Sequence, residues 1–256
     1  MSINKELEKL YRPYWDKALE RITEDKLELS NPLLIKIDEK EYETSNVKIM
    51  IFGQETFGWN GQFGSANMNV ERLMDDYFAY LHYDEQDDSY FHGLNDDYRT
   101  SKRRIKGKKK RAFWKAFKYF EKEIKLQLHN IHKPYFIWNN IAKISKNDQK
   151  GMDDKIRKFT KENFSTVLEE MKILKPDMVI FLTGPNRDGD IKHYFKDVAF
   201  DYCGYPEKIK DKKTYKSPQK VISKYLPEKS IRLYHPSYFG GFNKVKQIAI
   251  DILKNS

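Results

Sequence analysis

The chain has 256 residues, of which 39% are hydrophobic and 34% charged, so it is polar but long enough for a substantial core in one large or two small domains. The formal net charge of +10 indicates an anionic partner such as nucleic acid, unless it merely reflects the abundance of lysine along the whole chain. The one cysteine, Cys203, excludes an internal disulfide, a four-cysteine zinc site and a cysteine-bound iron–sulfur cluster, and no apolar run is long enough to span a membrane.

Helical and strand patterns alternate along the sequence. Apolar residues at helical spacing predict a helix over 3–22, which Pro13 should kink or divide into two short helices. A connector at 30–46 leads to a buried strand at 47–52, and 200–228 is expected to be irregular. Further helices are predicted at 69–82, 112–128, 153–174 and 242–254, and further strands at 134–139, 178–183 and 230–234.

The four predicted strands are apolar on both faces, which is typical of a mainly parallel sheet covered by helices on both sides. Neither an internal repeat nor a low-complexity linker interrupts this pattern. The sequence therefore predicts an α/β fold with a single domain over residues 1–256, built on a central, mainly parallel, four-stranded sheet flanked by helices.

A charged insertion is predicted near 84–111. It begins with an acidic stretch at 84–97 and ends with the most basic segment of the chain, 102–111. We expect this basic segment to contact the phosphates of a nucleic acid, principally through Lys108, Lys109, Lys110 and Arg111. The alternative is a solvated loop whose charges partly pair with the acidic stretch before it.

Polar or glycine residues follow each predicted strand at its carboxyl end, and in an open α/β sheet these ends meet at the edge where ligands bind. The first strand is followed by Gly-Gln-Glu at 53–55 and the last by His-Pro-Ser at 235–237. The proline of the latter segment favours an extended backbone at the histidine and stiffens the loop. The other two strands lead into two asparagines at 139–140, whose amides can read a nucleobase edge, and into Gly184. Taken singly, the glycine and asparagine segments also fit an ordinary turn or helix cap, and the histidine also fits a core or surface histidine without a role in binding.

Taken together, these segments resemble the uracil-DNA glycosylase superfamily. The best-known branch carries Gly-Gln-Asp-Pro-Tyr-His after its first strand, and residues 53–58 keep the first two residues, the acid and the aromatic in register. Residues 136–139 resemble the strand that ends in the family's base-reading asparagine, 178–184 resemble its third strand, and 235–239 resemble its catalytic histidine loop. The resemblance extends over about residues 30–254 and implies the family's fold and its excision of DNA bases without a metal or cofactor.

The resemblance also implies roles for individual residues. Glu55 would stabilise the positive charge that develops on the sugar and orient water, a task that Gln54 would share or take over. His235 would hydrogen-bond the leaving base, and Phe239 would hold open the gap left by the flipped nucleotide. The base pocket would include Phe57, Gly58, Met68, Asn139 and Asn140, and further DNA contacts would come from Ser237 and Gly184.

Three departures from the family's motif affect the expected substrate. Glu55 replaces an aspartate and reaches one methylene further, Phe57 lacks the hydroxyl of the family's tyrosine, and Gly58 removes the bulk of a histidine. We therefore expect a wider pocket that accepts an aberrant or modified pyrimidine. The candidates are uracil and a bulky modified cytosine such as glucosylated hydroxymethylcytosine, which some phage-defence relatives of the superfamily remove.

Two other functions remain open from the sequence. A DNA-binding relative without catalysis would recognise a modified base and leave it in place, and a nucleoside or nucleotide hydrolase would need neither Phe239 nor the basic segment. The leading prediction is a monomeric DNA glycosylase that leaves an abasic site. We expect it in the cytoplasm, because the first residues lack the apolar region of a signal peptide.

Overall fold

A six-stranded mixed sheet forms the centre of the computed structural model, which describes residues 2–56, 58–82, 111–128, 133–147, 151–203, 218–238 and 242–255. The strands are β1 (Val47–Glu55), β2 (Pro134–Ala142), β3 (Met178–Phe181), β4 (Ala199–Tyr202), β5 (Gln219–Ile222) and β6 (Lys229–Arg232). Within the sheet they lie in the order β2-β1-β3-β6-β5-β4.

The strands β2, β1, β3 and β6 are parallel neighbours, and each corresponds to one of the predicted apolar runs. The register places Phe52 of β1 beside Asn139 of β2 and Phe181 of β3. Phe181 in turn lies beside Arg232 of β6. The carboxyl ends of all four strands therefore meet along one edge, the carboxyl edge of the sheet, and bring together side chains that are far apart in sequence.

The other two strands correct the predicted number of strands from four to six. β5 pairs antiparallel with both β4 and β6, in a region that the sequence predicts to be irregular. Val221 is the buried residue of β5, and two adjacent apolar residues in a lysine-rich segment are too weak a pattern to predict a strand. Arg232 fixes this extension, because its guanidinium contacts Asp188 at 2.9 Å and hydrogen-bonds Gln219 of β5.

Helices flank the sheet. They are α1 (Ile3–Asp25), α2 (Glu39–Glu43), α3 (Val70–His82), α4 (Ala112–Leu128), α5 (Asp154–Asn163), α6 (Val167–Leu174), α7 (Asp188–Phe195) and α8 (Phe242–Asn255). The helices predicted at 69–82, 112–128 and 242–254 are confirmed as α3, α4 and α8, while α2 occupies part of the predicted connector. In the part of the chain that is described, no helix combines the length and the hydropathy needed to cross a membrane.

Helix α1 continues through Pro13 without a break, so the predicted division into two short helices is wrong. A proline inside a helix removes one backbone hydrogen bond and costs roughly 3 kcal/mol. Here the loss is offset by tertiary packing, because the helix buries a continuous stripe of apolar side chains, namely Leu7, Tyr11, Trp15, Ala18 and Ile22.

The helix predicted over 153–174 is divided into α5 and α6. Phe164 leaves helical geometry with φ −141° and ψ 56°, and α6 begins after Thr166. The ring of Phe164 is fully buried, 5.9 Å from the ring of Tyr14 of α1. The helix is therefore interrupted where the ring of Phe164 is buried, and the helical periodicity of the sequence does not predict this break.

Candidate active site

A cleft of about 780 Å³ opens at the carboxyl edge of the sheet, and we refer to it below as the cleft. Its walls come from the end of β1 and the loop after it, from β2, from α3, from the start of α4, from the turn before α7 and from the loop after β6. The polar side chains in its lining are Gln54, Glu55, Thr56, Arg111, Asn140, Arg187, His235 and Ser237. The remaining lining consists of Gly53, Trp59, Tyr80, Ala112, Phe113, Trp114, Trp138 and Gly151.

One wall of the cleft is aromatic. Trp138 of β2 lies edge-to-face against Trp59 and Trp114, with ring centroids 5.3 and 4.9 Å apart. Tyr80 of α3 contacts the same two rings at centroid distances of 5.2 and 5.4 Å. Three of the four tryptophans in the chain are therefore at the cleft. Interlocked rings form a stiff apolar surface suited to stacking against a flat ligand.

Glu55, the last residue of β1, forms an ion pair with Arg187. Arg187 Nη2 donates to Glu55 Oε2, and the two side chains keep only 8% and 14% of their surface exposed. Arg187 lies in the 3₁₀ turn Pro185–Arg187, which leads from β3 into α7. The carboxylate predicted for catalysis therefore lines the cleft beside a fixed positive charge.

His235 follows β6, and its ring is oriented by its own loop. Its Nδ1 accepts a hydrogen bond from the Ser237 N–H at 3.2 Å and lies 2.6 Å from Ser237 Oγ. Burial, with a smaller effect from the positive charge of Arg187, lowers the pKa of His235 from 6.5 to about 4. The imidazole is therefore neutral at neutral pH and carries its proton on Nε2, the nitrogen that remains to donate to a ligand.

Gln54 and Gly184 connect the ends of β1, β3 and β6. Gln54 Nε2 donates to the carbonyl of Thr183 at 2.6 Å, which leaves its Oε1 as the acceptor for a water or ligand. Gly184 has φ +71°, and a Cβ there would lie 3.3 Å from the backbone nitrogen of His235. Gly184 thus supports the histidine loop by close backbone packing, and it is not part of the cleft lining.

The two asparagines predicted to read a base lie on opposite faces of β2, because the strand continues to Ala142 and side chains alternate along it. Asn140 lines the cleft beside Gly53, where an added Cβ would collide with its amide. Asn139 is fully buried, and it donates from Nδ2 to Glu170 Oε2 at 2.9 Å and accepts at Oδ1 from Lys143 Nζ at 2.8 Å. The structure therefore does not bring Asn139 to the cleft, and Asn140 is the asparagine present there.

The loop after β1 is fixed from behind by three buried hydroxyl groups. Thr56 Oγ1 lies 3.1 Å from Ser30 Oγ and 3.0 Å from Ser145 Oγ. Because Thr56 directly follows Glu55, this cluster holds the main chain that carries the carboxylate. Such support from behind limits the movement of a side chain whose position matters for chemistry.

The other predicted site residues divide into three groups. Arg111 and Ser237 line the cleft. Gly58 is buried with φ +54°, Met68 packs against the hydrophobic core, and neither is part of the cleft lining. Outside the described residues lie Phe57, Lys108, Lys109, Lys110 and Phe239.

Neither Arg187 nor the aromatic wall is predicted from the sequence. Arg187 comes three residues after Gly184, in a segment that fits an ordinary turn, so the only signal is its place after the third strand. Trp138 lies two residues before Asn140, and the alternation of β2 puts both on the face of the cleft. The other rings come from a loop and two helices, and no local pattern indicates that they approach this edge.

Comparison with protein-family models, with curated proteins and with solved structures gave no match to this chain. Among the residues described, no three histidine, cysteine, aspartate or glutamate side chains are grouped as a metal site. The cleft itself offers a carboxylate, a neutral imidazole, two carboxamides and two arginines beside an aromatic wall.

Proposed function

We propose that the protein is a DNA glycosylase, which takes a pyrimidine nucleotide out of the base stack and hydrolyses its N-glycosidic bond. The observation that carries this proposal is the meeting of Glu55, Asn140 and His235 in one cleft, although each belongs to a different strand or strand end. In the reaction, water gives its hydroxyl to C1′ and a proton to the departing base. The three residues provide separate groups for the sugar, the base edge and the departing charge.

The sugar gains positive character as its bond to the base breaks, and a nearby carboxylate stabilises that charge. Glu55 is the carboxylate of the cleft among the residues described. Its Oε2 is held by Arg187, whereas its Oε1 accepts no hydrogen bond from any described residue. We therefore assign Oε1 to the sugar or to the attacking water, with Gln54 Oε1 as a second acceptor for that water.

The base leaves with negative charge on its ring oxygens and nitrogens, so the enzyme needs a hydrogen-bond donor directed at these atoms. The neutral His235 meets this need, because Ser237 occupies Nδ1 and leaves the Nε2–H to donate. A donor that is already aligned stabilises developing charge more effectively than one that must first be oriented in bulk water.

Asn140 and the aromatic wall account for binding of the base. The Asn140 amide donates to the Asn139 carbonyl at 3.0 Å and accepts from the Thr56 N–H at 3.3 Å, so its second N–H and the second lone pair of its oxygen are the groups left for the base edge. Extracting a base from the stack costs a few kcal/mol, and stacking on an aromatic side chain returns roughly 1–3 kcal/mol. The aromatic wall beside Asn140 provides such a surface.

The arrangement of the motifs supports membership of the uracil-DNA glycosylase superfamily. The segments that resemble it belong to the four parallel strands or their ends. The segment 53–58 begins in the last residues of β1, 178–184 begins with β3, 235–239 comes after β6, and 136–139 lies in β2 directly before Asn140. All four strands are parallel and share the carboxyl edge. On this proposal β4 and β5 are an antiparallel extension of the superfamily's sheet, and the net charge of +10 reflects DNA as the partner.

The size of the cleft is compatible with both substrate classes expected from the sequence. Its volume of about 780 Å³ lies within the range of roughly 300–1,000 Å³ for small-molecule sites and exceeds the space that a bare pyrimidine ring fills. Uracil with ordered water, or a cytosine with a bulky substituent such as glucosylated hydroxymethylcytosine, are the two candidates.

The test is to incubate the purified protein with DNAs that carry one uracil, one hydroxymethylcytosine or one glucosylated hydroxymethylcytosine, and to detect abasic sites by alkaline cleavage. Cleavage of the uracil strand would indicate repair, and cleavage confined to a modified cytosine would indicate defence against modified DNA. Tight binding without cleavage of any strand would contradict the proposal and favour a non-catalytic reader of bases.

Two variants test the assigned roles. We expect Glu55→Gln and His235→Ala each to lower turnover by at least about 100-fold, since each removes a group that acts on developing charge. DNA binding should remain close to that of the wild-type protein. A matched control is Glu24→Gln, which neutralises an exposed glutamate on α1. Wild-type turnover in either site variant would show that the roles are wrongly assigned.

A further inference from the structure

We infer that Arg187 and Asp190 form a relay that positions Glu55, with Asp190 acting on the carboxylate through Arg187 and without lining the cleft. The inference rests on the proposed function, because it concerns how the carboxylate of that site is held. Arg187 is a cleft residue that no sequence motif indicated, and Asp190 lies one turn further along the chain, in α7.

The relay is a line of alternating charges. Arg187 donates from Nη2 to Glu55 and from Nη1 to Asp190 Oδ2, the latter at 3.4 Å. Asp190 is in turn paired with Lys161 at 2.7 Å and with Arg157 at 3.1 Å, both from α5. The guanidinium is therefore held between two carboxylates, and the second carboxylate is held by two further cations.

Burial makes this line unusual. The side chains of Arg187 and Asp190 are only 8% and 4% exposed. Removing charges from water is unfavourable, and an apolar pair of similar volume is often as stable, so a buried ionic line is weak evidence for a stabilising role. Such a line does fix the direction of its side chains, because the planar guanidinium donates hydrogen bonds to its two carboxylate partners only in defined positions.

The consequence is that Glu55 presents a single oxygen to a ligand. Oε2 is engaged by the relay, and Oε1 has no hydrogen-bond partner among the described residues. The same guanidinium acts on His235, since its positive charge contributes to the low pKa of that histidine. Arg187 thus reaches both reacting groups, whereas Asp190 reaches them through Arg187.

The experiment compares Arg187→Gln, Arg187→Lys and Asp190→Asn with Arg21→Gln, which removes an exposed arginine of α1 paired with Glu24. We expect Asp190→Asn to lower kcat by roughly 10- to 100-fold with KM nearly unchanged, because a misplaced carboxylate affects the reaction more than binding. Arg187→Lys keeps the positive charge but not the planar guanidinium. Compared with Arg187→Gln, it should return the pKa of His235 to its wild-type value but recover only part of the turnover. Arg21→Gln should behave as the wild type.

A second readout does not need catalysis. In NMR spectra we expect the carboxyl carbon of Glu55 to shift in Asp190→Asn and in both Arg187 variants, and the pKa of His235 to rise in Arg187→Gln. If Glu55 keeps its wild-type shift in Asp190→Asn, the relay is wrong even when the enzyme is an active glycosylase. If no DNA is cleaved but Glu55 shifts, the relay stands and the proposed function fails. Wild-type kcat in both Arg187→Gln and Asp190→Asn would also overturn the inference.

Discussion

At the scale of single residues, the state of His235 follows from its surroundings. Its Nδ1 accepts from the Ser237 N–H, and burial lowers its pKa to about 4. We predict that NMR titration of the folded protein gives this low pKa and not the usual value of about 6.5. In Ser237→Ala the backbone N–H remains, so the pKa should stay low. A value near 6.5 in the wild-type protein would contradict the proposed neutral donor.

The same group makes stability depend on pH. An unfolded chain binds a proton on His235 below about pH 6.5, whereas the folded protein does so only below about pH 4. The contribution of His235 to the free energy of unfolding is therefore fully present above the unfolded pKa and is lost as the pH falls through the folded pKa. Denaturant titrations of wild type and His235→Asn should show a shallower decline in the variant. His193, whose pKa burial also lowers, is present in both proteins and cancels.

The asparagine pair shows which features of the site a sequence pattern can predict and which it cannot. Two polar residues after an apolar run predict the end of a strand at 139, but β2 continues to Ala142. Inside a strand, neighbours face opposite sides, so only one of the two asparagines can reach the ligand. Which asparagine does so depends on the residues that cover each face, and here Asn139 is hydrogen-bonded to Glu170 of α6 and to Lys143. That choice is made by tertiary contacts that the local sequence does not contain.

At the scale of elements, long apolar runs were predictable and connections were not. The four parallel strands, α3 and α4 follow from periodic burial, which is a local property. The break at Phe164 and the pairing of β5 depend on partners distant in sequence. The turn that carries Arg187 has no periodicity, so the residue that contacts the predicted carboxylate was found only in three dimensions.

A buried ion pair ties β2 to α6. Lys143 Nζ lies 2.8 Å from Glu170 Oε1, and neither side chain is exposed. Burial lowers the pKa of Lys143, and the negative charge of Glu170 acts in the opposite direction. We predict that Lys143→Met lowers the free energy of unfolding by about 3–5 kcal/mol, because it leaves the carboxylate buried without its counter-charge. Chemical denaturation measures the loss.

Two further variants separate charge from packing. The double variant Lys143→Met/Glu170→Leu should recover most of the stability, apart from about 1–3 kcal/mol for the Asn139 amide that loses its acceptor. Lys172→Met, which breaks an exposed pair with Glu169, should change stability by less than about 1 kcal/mol. A double variant no more stable than Lys143→Met would mean that the pair is needed for packing and not only for its charge balance.

At the scale of the whole molecule, basic residues lie at both edges of the parallel strands. Arg111 lines the cleft at the carboxyl edge, and Lys108, Lys109 and Lys110 directly precede it in the sequence. The amino edge also carries lysines, namely Lys133 and Lys175 just before β2 and β3, and Lys229 at the start of β6. If DNA binds in the cleft, its phosphates should contact Arg111 and the three lysines before it and not the lysines of the amino edge.

Replacing Lys108, Lys109 and Lys110 by glutamine should therefore weaken DNA binding and flatten its salt dependence. Each phosphate contact that is lost reduces the slope of log K against log salt by roughly 0.9, so three lost contacts reduce it by about 2.7. Replacing Lys133, Lys175 and Lys229 removes the same charge from the amino edge and should leave the slope unchanged. Fluorescence anisotropy with a labelled duplex over a series of salt concentrations measures both. Equal reductions in the two triple variants would mean that the net charge of +10 attracts DNA without directing it to the cleft.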